Sequence, residues 1–476
     1  MELYVSEFSK YVITLLIAFY TYESFAVFRK KQESERNGIY TRQNILMFGL
    51  HFSCFIVICF ETEDITYLFF YAFQQIVLYA AVVLFRMLYP KTNRLLVNNM
   101  CMLLTVGFVI LTRLSLGKAI RQFIIVMLSL VIALVIPFFV SRFRFLKEWK
   151  WIYAAAGIVA LGIVLVLGQT TYGSKLSYTI AGLTFQPSEF VKIIFVFFVA
   201  SALYKAAGFF EVFTTAVIAA AHVIILVCSK DLGSALIFFV VYVLMVVVAS
   251  RNWLYLLAGV SGGSVAAYLA YRVFPHIQVR VQAFKDPWSV IDSTGYQITQ
   301  SLFAITSGGW FGLGLFKGTP ESIPFVEADF IFSAITEELG LLFALCVILI
   351  CVSSFVMFMN ISMNLKDKFY QLTAFGLGVT YIFQVFLTIG GGCKFIPLTG
   401  VTLPFISYGG SSVLTTLIMF SVTEGLSMIQ AEEAEEEKHR RKRIRQKKKK
   451  QAGRRKDRPV YEYEDLDFEE DGEAFE

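Results

Sequence analysis

Charge is scarce in this chain: 16% of its 476 residues are Asp, Glu, Lys or Arg, against 57% hydrophobic residues and a mean hydropathy of +0.65. A soluble globular protein of this size carries about 25% charged residues, so that class is excluded. Histidine is almost missing. Its four copies, His51, His222, His276 and His439, are dispersed, which leaves a Ser-His-Asp triad or a histidine zinc site without support. The seven cysteines (Cys54, Cys59, Cys101, Cys228, Cys346, Cys351, Cys393) lie mostly inside apolar segments and show no ligand spacing, so neither a disulfide nor a metal cluster is expected. No internal repeat is visible. The net charge of +6 sits in loops and in a terminal tail, where a membrane topology explains it and a nucleic-acid partner is not implied.

Apolar runs of roughly 18 to 24 residues are abundant, each long enough to cross a hydrocarbon core of about 30 Å as a helix and too long for barrel strands. The first, Tyr11 to Phe28, has no small-residue cleavage site after it and reads as a retained helix. Others fall near 45–60, 67–88, 95–113, 120–140, 151–169, 188–205, 213–228, 232–250, 253–274, 333–358, 370–392 and 407–429. The fold class is therefore an all-α polytopic membrane protein with about 13 transmembrane helices. The loops after Phe28, Leu88 and Val140 are basic and Glu61 to Thr66 is acidic, which puts the N-terminus outside and the C-terminus in the cytoplasm of a multi-pass bacterial membrane protein. Past about residue 430 a basic stretch, Lys438 to Arg458, precedes an acidic one, Tyr461 to Glu476, the pattern of a solvated, disordered tail.

The longest non-helical stretch, Phe274 to about Ala328, lies on the outer face by this count. It carries Arg280, Asp286, Gln300 and the glycine run Gly308 to Gly314, and a loop of that length is usually functional. It ends in Glu327-Ala328-Asp329-Phe330, which sets Asp329 in an apolar mouth where a helix begins. Two readings stand: a desolvated carboxylate with the raised pKa of a general base, or an N-cap of the helix near Phe330. Glu337 is expected two turns deeper, near the same face. In Gln186-Pro187-Ser188-Glu189-Phe190-Val191-Lys192, Pro and Ser open a helix with Glu189 and Lys192 three apart, which residue type alone favours as a structural ion pair. Asp231 reads as an N-cap. Pro404 to Ser412, with Ser407 at its centre, opens the last helix with small residues that permit close helix approach or line a cavity.

Taken in order, five blocks resemble the SEDS family (shape, elongation, division and sporulation), whose members include RodA, FtsW and SpoVE. They are Phe185 to Glu189; Asp231-Leu232-Gly233-Ser234; Gly295-Tyr296-Gln297 with Gln300-Ser301; Asp329-Phe330-Ile331-Phe332 with Glu337-Glu338-Leu339-Gly340; and Thr399 to Pro404 running into Ser407 to Ser411. The resemblance covers about Leu95 to Gln430, a ten-helix core (95–430) with a large extracytoplasmic loop near 275–330. It leaves three extra N-terminal helices (1–94) and the tail (431–476) outside. It implies a peptidoglycan glycosyltransferase that polymerises lipid II at the outer face of the cytoplasmic membrane, in elongation, division or sporulation, with a class B penicillin-binding protein as transpeptidase partner. Asp329 then corresponds to the family's proposed catalytic residue, and Arg280, Glu189 and Lys192 are expected to line its cavity with Glu337 and Ser407 as further substrate-binding candidates. Departures are Gly173 to Tyr178, where relatives carry Lys-Arg-Trp; Lys230, where many have Pro; Thr388, where Asn is common; and Glu327-Ala328, where His or Thr often precedes the Asp. Glu327 is expected to raise the pKa of Asp329 by like-charge repulsion.

The implied chemistry is attack of a sugar hydroxyl on an anomeric carbon bearing a lipid diphosphate, with Asp329 as base and Arg280 and Lys192 offsetting charge on the leaving group. The sequence offers no carboxylate cage for a divalent ion such as Mg2+ and leaves the cofactor question open. Competing readings are a flippase for lipid-linked precursors and a non-catalytic scaffold for the transpeptidase. The asymmetry of the chain argues against the first.

Overall fold

The structure, a computed structural model, describes residues 2–30, 32–171, 174–180, 183–205 and 208–456. Six helices come first: α1 (Glu2–Arg29), α2 (Glu33–Thr62), α3 (Ile65–Leu88), α4 (Arg94–Leu114), α5 (Leu116–Arg142) and α6 (Lys150–Leu167). A small antiparallel meander follows, β1 (Gln169–Thr171), β2 (Ser174–Ile180) and β3 (Leu183–Phe185). The chain then runs through α7 (Pro187–Leu203), α8 (Phe209–Cys228), α9 (Leu232–Ser250), α10 (Leu254–Val273), α11 (Pro275–Lys285), α12 (Tyr296–Gly308), α13 (Ile331–Asn364), α14 (Lys368–Gly392) and α15 (Gly410–Lys456). Twelve of these are long and apolar enough to cross a membrane. Helix α7, at 17 residues, is the thirteenth, still within the workable range of about 17–25.

Two sequence expectations need correction, the long loop and the tail. The stretch 274–328 contains two helices, α11 and α12, and α12 buries Ile298, Thr299, Ser301, Ala304 and Gly308 at helical spacing. Both are too short and too polar to register as apolar runs. The all-α class holds, with one short meander added to it: Ser177 and Tyr178 lie in β2, Tyr178 pairs with Phe185, and Gly173 lies outside the described residues. Residues 431–456 are helical where a disordered tail was expected. Glu and Lys/Arg blocks in succession are strong helix formers, and Glu437 pairs with Arg441 one turn on. The acidic stretch from Tyr461 lies outside the described residues.

Helices α1–α3 are built into the core rather than appended to it. They cover α4, which is buried along its whole length and also touches α5 and α13. Within this apolar setting a chain of amides and hydroxyls crosses four helices. Asn99 accepts from Tyr20 at 3.1 Å and donates to Ser354 at 3.2 Å, and Gln43 donates to Ser24 at 3.1 Å and accepts from Asn98 at 2.9 Å. Polar pairs that find no water in a bilayer fix helix register this way.

Helix α13 is broken at Gly340, whose backbone sits at φ 90°, ψ 167°. The carbonyls of Glu337 and Glu338 accept from the amides of Leu313 and Gly314, and those of Gly309 and Trp310 accept from Leu341 and Leu342. The glycine run is required for this close pairing, because a Cβ at Gly312 would stand 2.2 Å from the Glu338 carbonyl oxygen. Arg113 of α4 braces the break through Glu338 (2.8 Å) and Glu321, beneath the ring of Phe316.

Candidate active site

Four of the connections between spans at one end of the bundle, α6–α7, α8–α9, α10–α13 and α14–α15, converge on a cavity of about 570 Å³. Its walls come from β2 (Ser177), the α7 entry (Gln186), the α8–α9 turn (Lys230, Asp231), α11 (Arg280), α12 (Gln297), the approach to α13 (Phe325, Asp329) and the α14–α15 connection (Lys394, Thr399, Gly400). Positions far apart in the chain thus meet around one carboxylate.

Asp329 stands two residues before α13, on a tight turn in which its amide donates to the Phe325 carbonyl. The turn is clamped from the last connection: Ser407 Oγ donates to the Ala328 carbonyl at 2.5 Å and accepts from the Leu403 amide at 2.9 Å, and the Tyr408 amide donates to the Glu327 carbonyl at 2.7 Å. Gln122 of α5 holds the clamp from behind, donating to the Ser407 carbonyl and accepting from the Gly409 amide. Gly400 lies beside Asp329, where an added Cβ would be in ordinary contact with Asp329 Oδ2 at 3.7 Å. The carboxyl is raised to about 6, first by loss of solvent, with Arg280 pulling it down and Glu327 pushing it up. The expected repulsion from Glu327 is therefore present but secondary, and Glu327 is itself paired with Lys118. No side-chain cap is formed at α13, so the N-cap reading of Asp329 does not apply.

Arg280 donates from Nη1 to the Leu398 and Thr399 carbonyls, both at 3.3 Å. Burial draws its pKa down, whereas Asp329 and Asp231 hold it up, so the guanidinium serves two carboxylates across the cavity. Asp231 does cap α9, accepting from the Ser234 amide at 3.0 Å, and its other oxygen accepts from Ser188 at 2.9 Å. The Gln186 amide donates to Ser411. Ser301 donates to the Gly392 carbonyl at 2.8 Å and pairs with Ser333 at 2.6 Å, which fastens α12 to α13 and α14.

Glu189 and Lys192 do not line the cavity. Lys192 Nζ donates to Glu189 Oε1 at 2.9 Å and to Gln384 Oε1 at 2.7 Å, and Glu189 Oε2 accepts from Thr415 at 3.2 Å. Both are buried between α7, α14 and α15, which is the structural ion pair that residue type alone favours. Glu337 is also away from the cavity. Eight residues at about 100° each place it about 80° round from Asp329, and it turns instead to the Thr319 amide at 3.0 Å. Sequence reasoning missed Lys394 altogether and noted Lys230 only as a departure. Both line the cavity, and with Phe325 they hold left-handed backbone (φ 65° at Lys230, 60° at Phe325, 55° at Lys394). Such strain costs of order 1–3 kcal/mol per residue and concentrates at working sites. The sequence signal for Lys394 is its position just after Gly390-Gly391-Gly392.

Among the described residues no group of three or more His, Cys, Asp or Glu is placed to hold a metal ion. A divalent cation drawn to Asp231 and Asp329 would take most of its oxygens from a bound diphosphate and water. The cavity thus offers one base of near-neutral pKa facing three cations, an arrangement suited to deprotonating a hydroxyl beside an anionic leaving group.

Residues 94–432 match the model of the FtsW, RodA and SpoVE family, described as cell cycle protein. The peptidoglycan glycosyltransferase RodA of Mycobacterium tuberculosis is 30% identical over 367 residues, covering 71% of this chain and 78% of its own. A probable peptidoglycan glycosyltransferase FtsW of Bacillus subtilis is 30% identical over 287 residues, covering 57% of this chain and 71% of its own. Among solved structures, one from a peptidoglycan synthase complex superposes with a TM-score of 0.62 at 24% identity, covering 71% of this chain and 98% of that one. The rod shape determining protein RodA of Thermus thermophilus gives 0.53 at 23%, covering 71% and 96%.

Proposed function

The chain belongs to the FtsW, RodA and SpoVE family of cell cycle proteins, and from that premise we propose that the cavity around Asp329 is where it joins lipid-linked sugars into glycan. It is a peptidoglycan glycosyltransferase, the activity its curated relatives are named for. The observation that carries the site assignment is the partly desolvated Asp329 carboxyl, held on a clamped turn opposite Arg280.

In the proposed reaction the acceptor hydroxyl of one lipid II attacks the anomeric carbon of the growing, lipid-linked chain. The hydroxyl proton passes to Asp329, a C–O bond forms with inversion to give a β-1,4 link, and the bond to the lipid diphosphate breaks with its electron pair on the phosphate oxygen. Arg280, Lys230 and Lys394 offset that developing charge, taking the part that sequence reasoning gave to Lys192. The basic ends of the helices lie opposite the cavity, which supports an outward-facing cavity, an outer N-terminus and a cytoplasmic C-terminus. A penicillin-binding transpeptidase is the partner the product needs, since a glycan strand must be crosslinked. The test is polymerisation of labelled lipid II by the purified protein with its transpeptidase, read as chain length on a gel. Long chains from wild type and none from a folded Asp329→Asn variant support the site, and full-length chains from that variant refute it.

A further inference from the structure

A second cavity, of about 110 Å³, lies at the opposite end of the bundle between α2, the end of α3 and the start of α4. It has room for a phosphodiester rather than one or two waters. Arg86 and Arg94 line it with Asn37, Asn44, Asn98 and Thr92, and no carboxylate lines it. Arg94 is half-buried and oriented by a 2.7 Å bond from Nη1 to Asn37 Oδ1. Arg86 has no hydrogen bond or ion pair among the described residues. Asn44 Oδ1 is buried there without a partner, an acceptor awaiting a donor.

These features call for a ligand with an anionic group for two guanidiniums and a hydroxyl for Asn44. Exposed apolar side chains flank the cavity on the face shared by α2 and α3, Ile45 next to Asn44 and Tyr79 one turn before Val82. The ligand therefore also carries hydrocarbon lying along that face. We infer that this cavity is a specific site for the headgroup of an anionic phospholipid with a hydroxylated headgroup, of the phosphatidylglycerol kind. The phosphate sits between Arg86 and Arg94, a headgroup hydroxyl donates to Asn44, and the acyl chains follow the face shared by α2 and α3. Basic pockets between transmembrane helices at the cytoplasmic border bind such headgroups. Because α2 and α3 precede the matched region and α4 opens it, the lipid fastens the N-terminal helices to the core.

The test uses the full chain in detergent and reads thermal unfolding with phosphatidylglycerol, phosphatidylcholine or inorganic phosphate at equal concentration. Phosphatidylglycerol should raise the midpoint by about 5 °C and the other two should not. Arg86→Gln and Asn44→Leu should each remove most of the rise, whereas Arg142→Gln, at an exposed basic position on α5, should keep it. The lipid-free midpoints of all variants show that they fold. An equal rise with phosphatidylcholine, a rise retained in both pocket variants, or one lost equally in Arg142→Gln overturns the site. An equal rise with inorganic phosphate overturns the lipid as its occupant.

Discussion

Two charged clusters built from the same residue types behave in opposite ways. Around Lys192 every charge is met: Glu189, Gln384 and Thr415 close a small network in which the ammonium and the carboxylate cancel. Around Asp329 the charges are spread across a cavity wall and the backbone at Lys230, Phe325 and Lys394 is strained. A buried pair that is fully bonded has nothing left to give a substrate. A carboxylate lifted to about 6 and facing cations across open space does. On geometry, the first cluster is a closed structural pair and the second is open to a substrate, as the proposed role requires.

The largest effect that tests it is on rate. Asp329→Asn keeps the shape of the turn and removes the base, so glycan synthesis should fall by about 10²–10⁴ with an unchanged melting temperature. Lys192→Met should do the reverse, costing about 3–5 kcal/mol of stability because Glu189 is left charged and alone, with the double change to Lys192→Met and Glu189→Gln recovering much of the loss. A polymerisation defect in the single variant that persists in a stable double variant would move Lys192 into the chemistry. Arg280→Gln should cost about 10²-fold in turnover by unbalancing the leaving group. Next comes pH. As the proposed base Asp329 would act when deprotonated, and its carboxyl is raised to about 6, so turnover should be level above about pH 7 and fall as the pH drops through 6. A profile flat down to pH 5 would dissociate the base from Asp329.

The spans were legible because hydropathy writes them directly into the chain, and each of the five motif blocks has a residue that lines the cavity. Other features follow from three-dimensional closure. Lys230, Arg280, Asp329 and Lys394 become neighbours only when the α8–α9 turn, the long α10–α13 connection and the α14–α15 connection fold over one mouth, so spacing in the sequence carries no trace of it. Glu337 was misplaced because eight residues leave it about 80° round from Asp329 and not on the same face, and because the break at Gly340 turns that segment toward the glycine run. Helices α11 and α12 were hidden by polar residues that a membrane-border helix tolerates.

The smallest effect concerns how the turn is held. Ser407 is not itself a lining residue of the cavity, yet its hydroxyl satisfies the carbonyl of the lining residue Ala328 and the Leu403 amide at once. Ser407→Ala leaves two backbone groups unpaired at about 1–3 kcal/mol each, and the turn carrying Asp329 can relax into the open cavity. A base displaced by a fraction of an ångström loses alignment before it loses substrate, so turnover should drop by about tenfold while KM stays near its wild-type value. Ser407→Thr, which keeps the hydroxyl, should restore most of the rate, and the acid limb near pH 6 should survive in both. A rise in KM with turnover unchanged would instead make Ser407 a substrate contact, the role sequence reasoning first assigned to it.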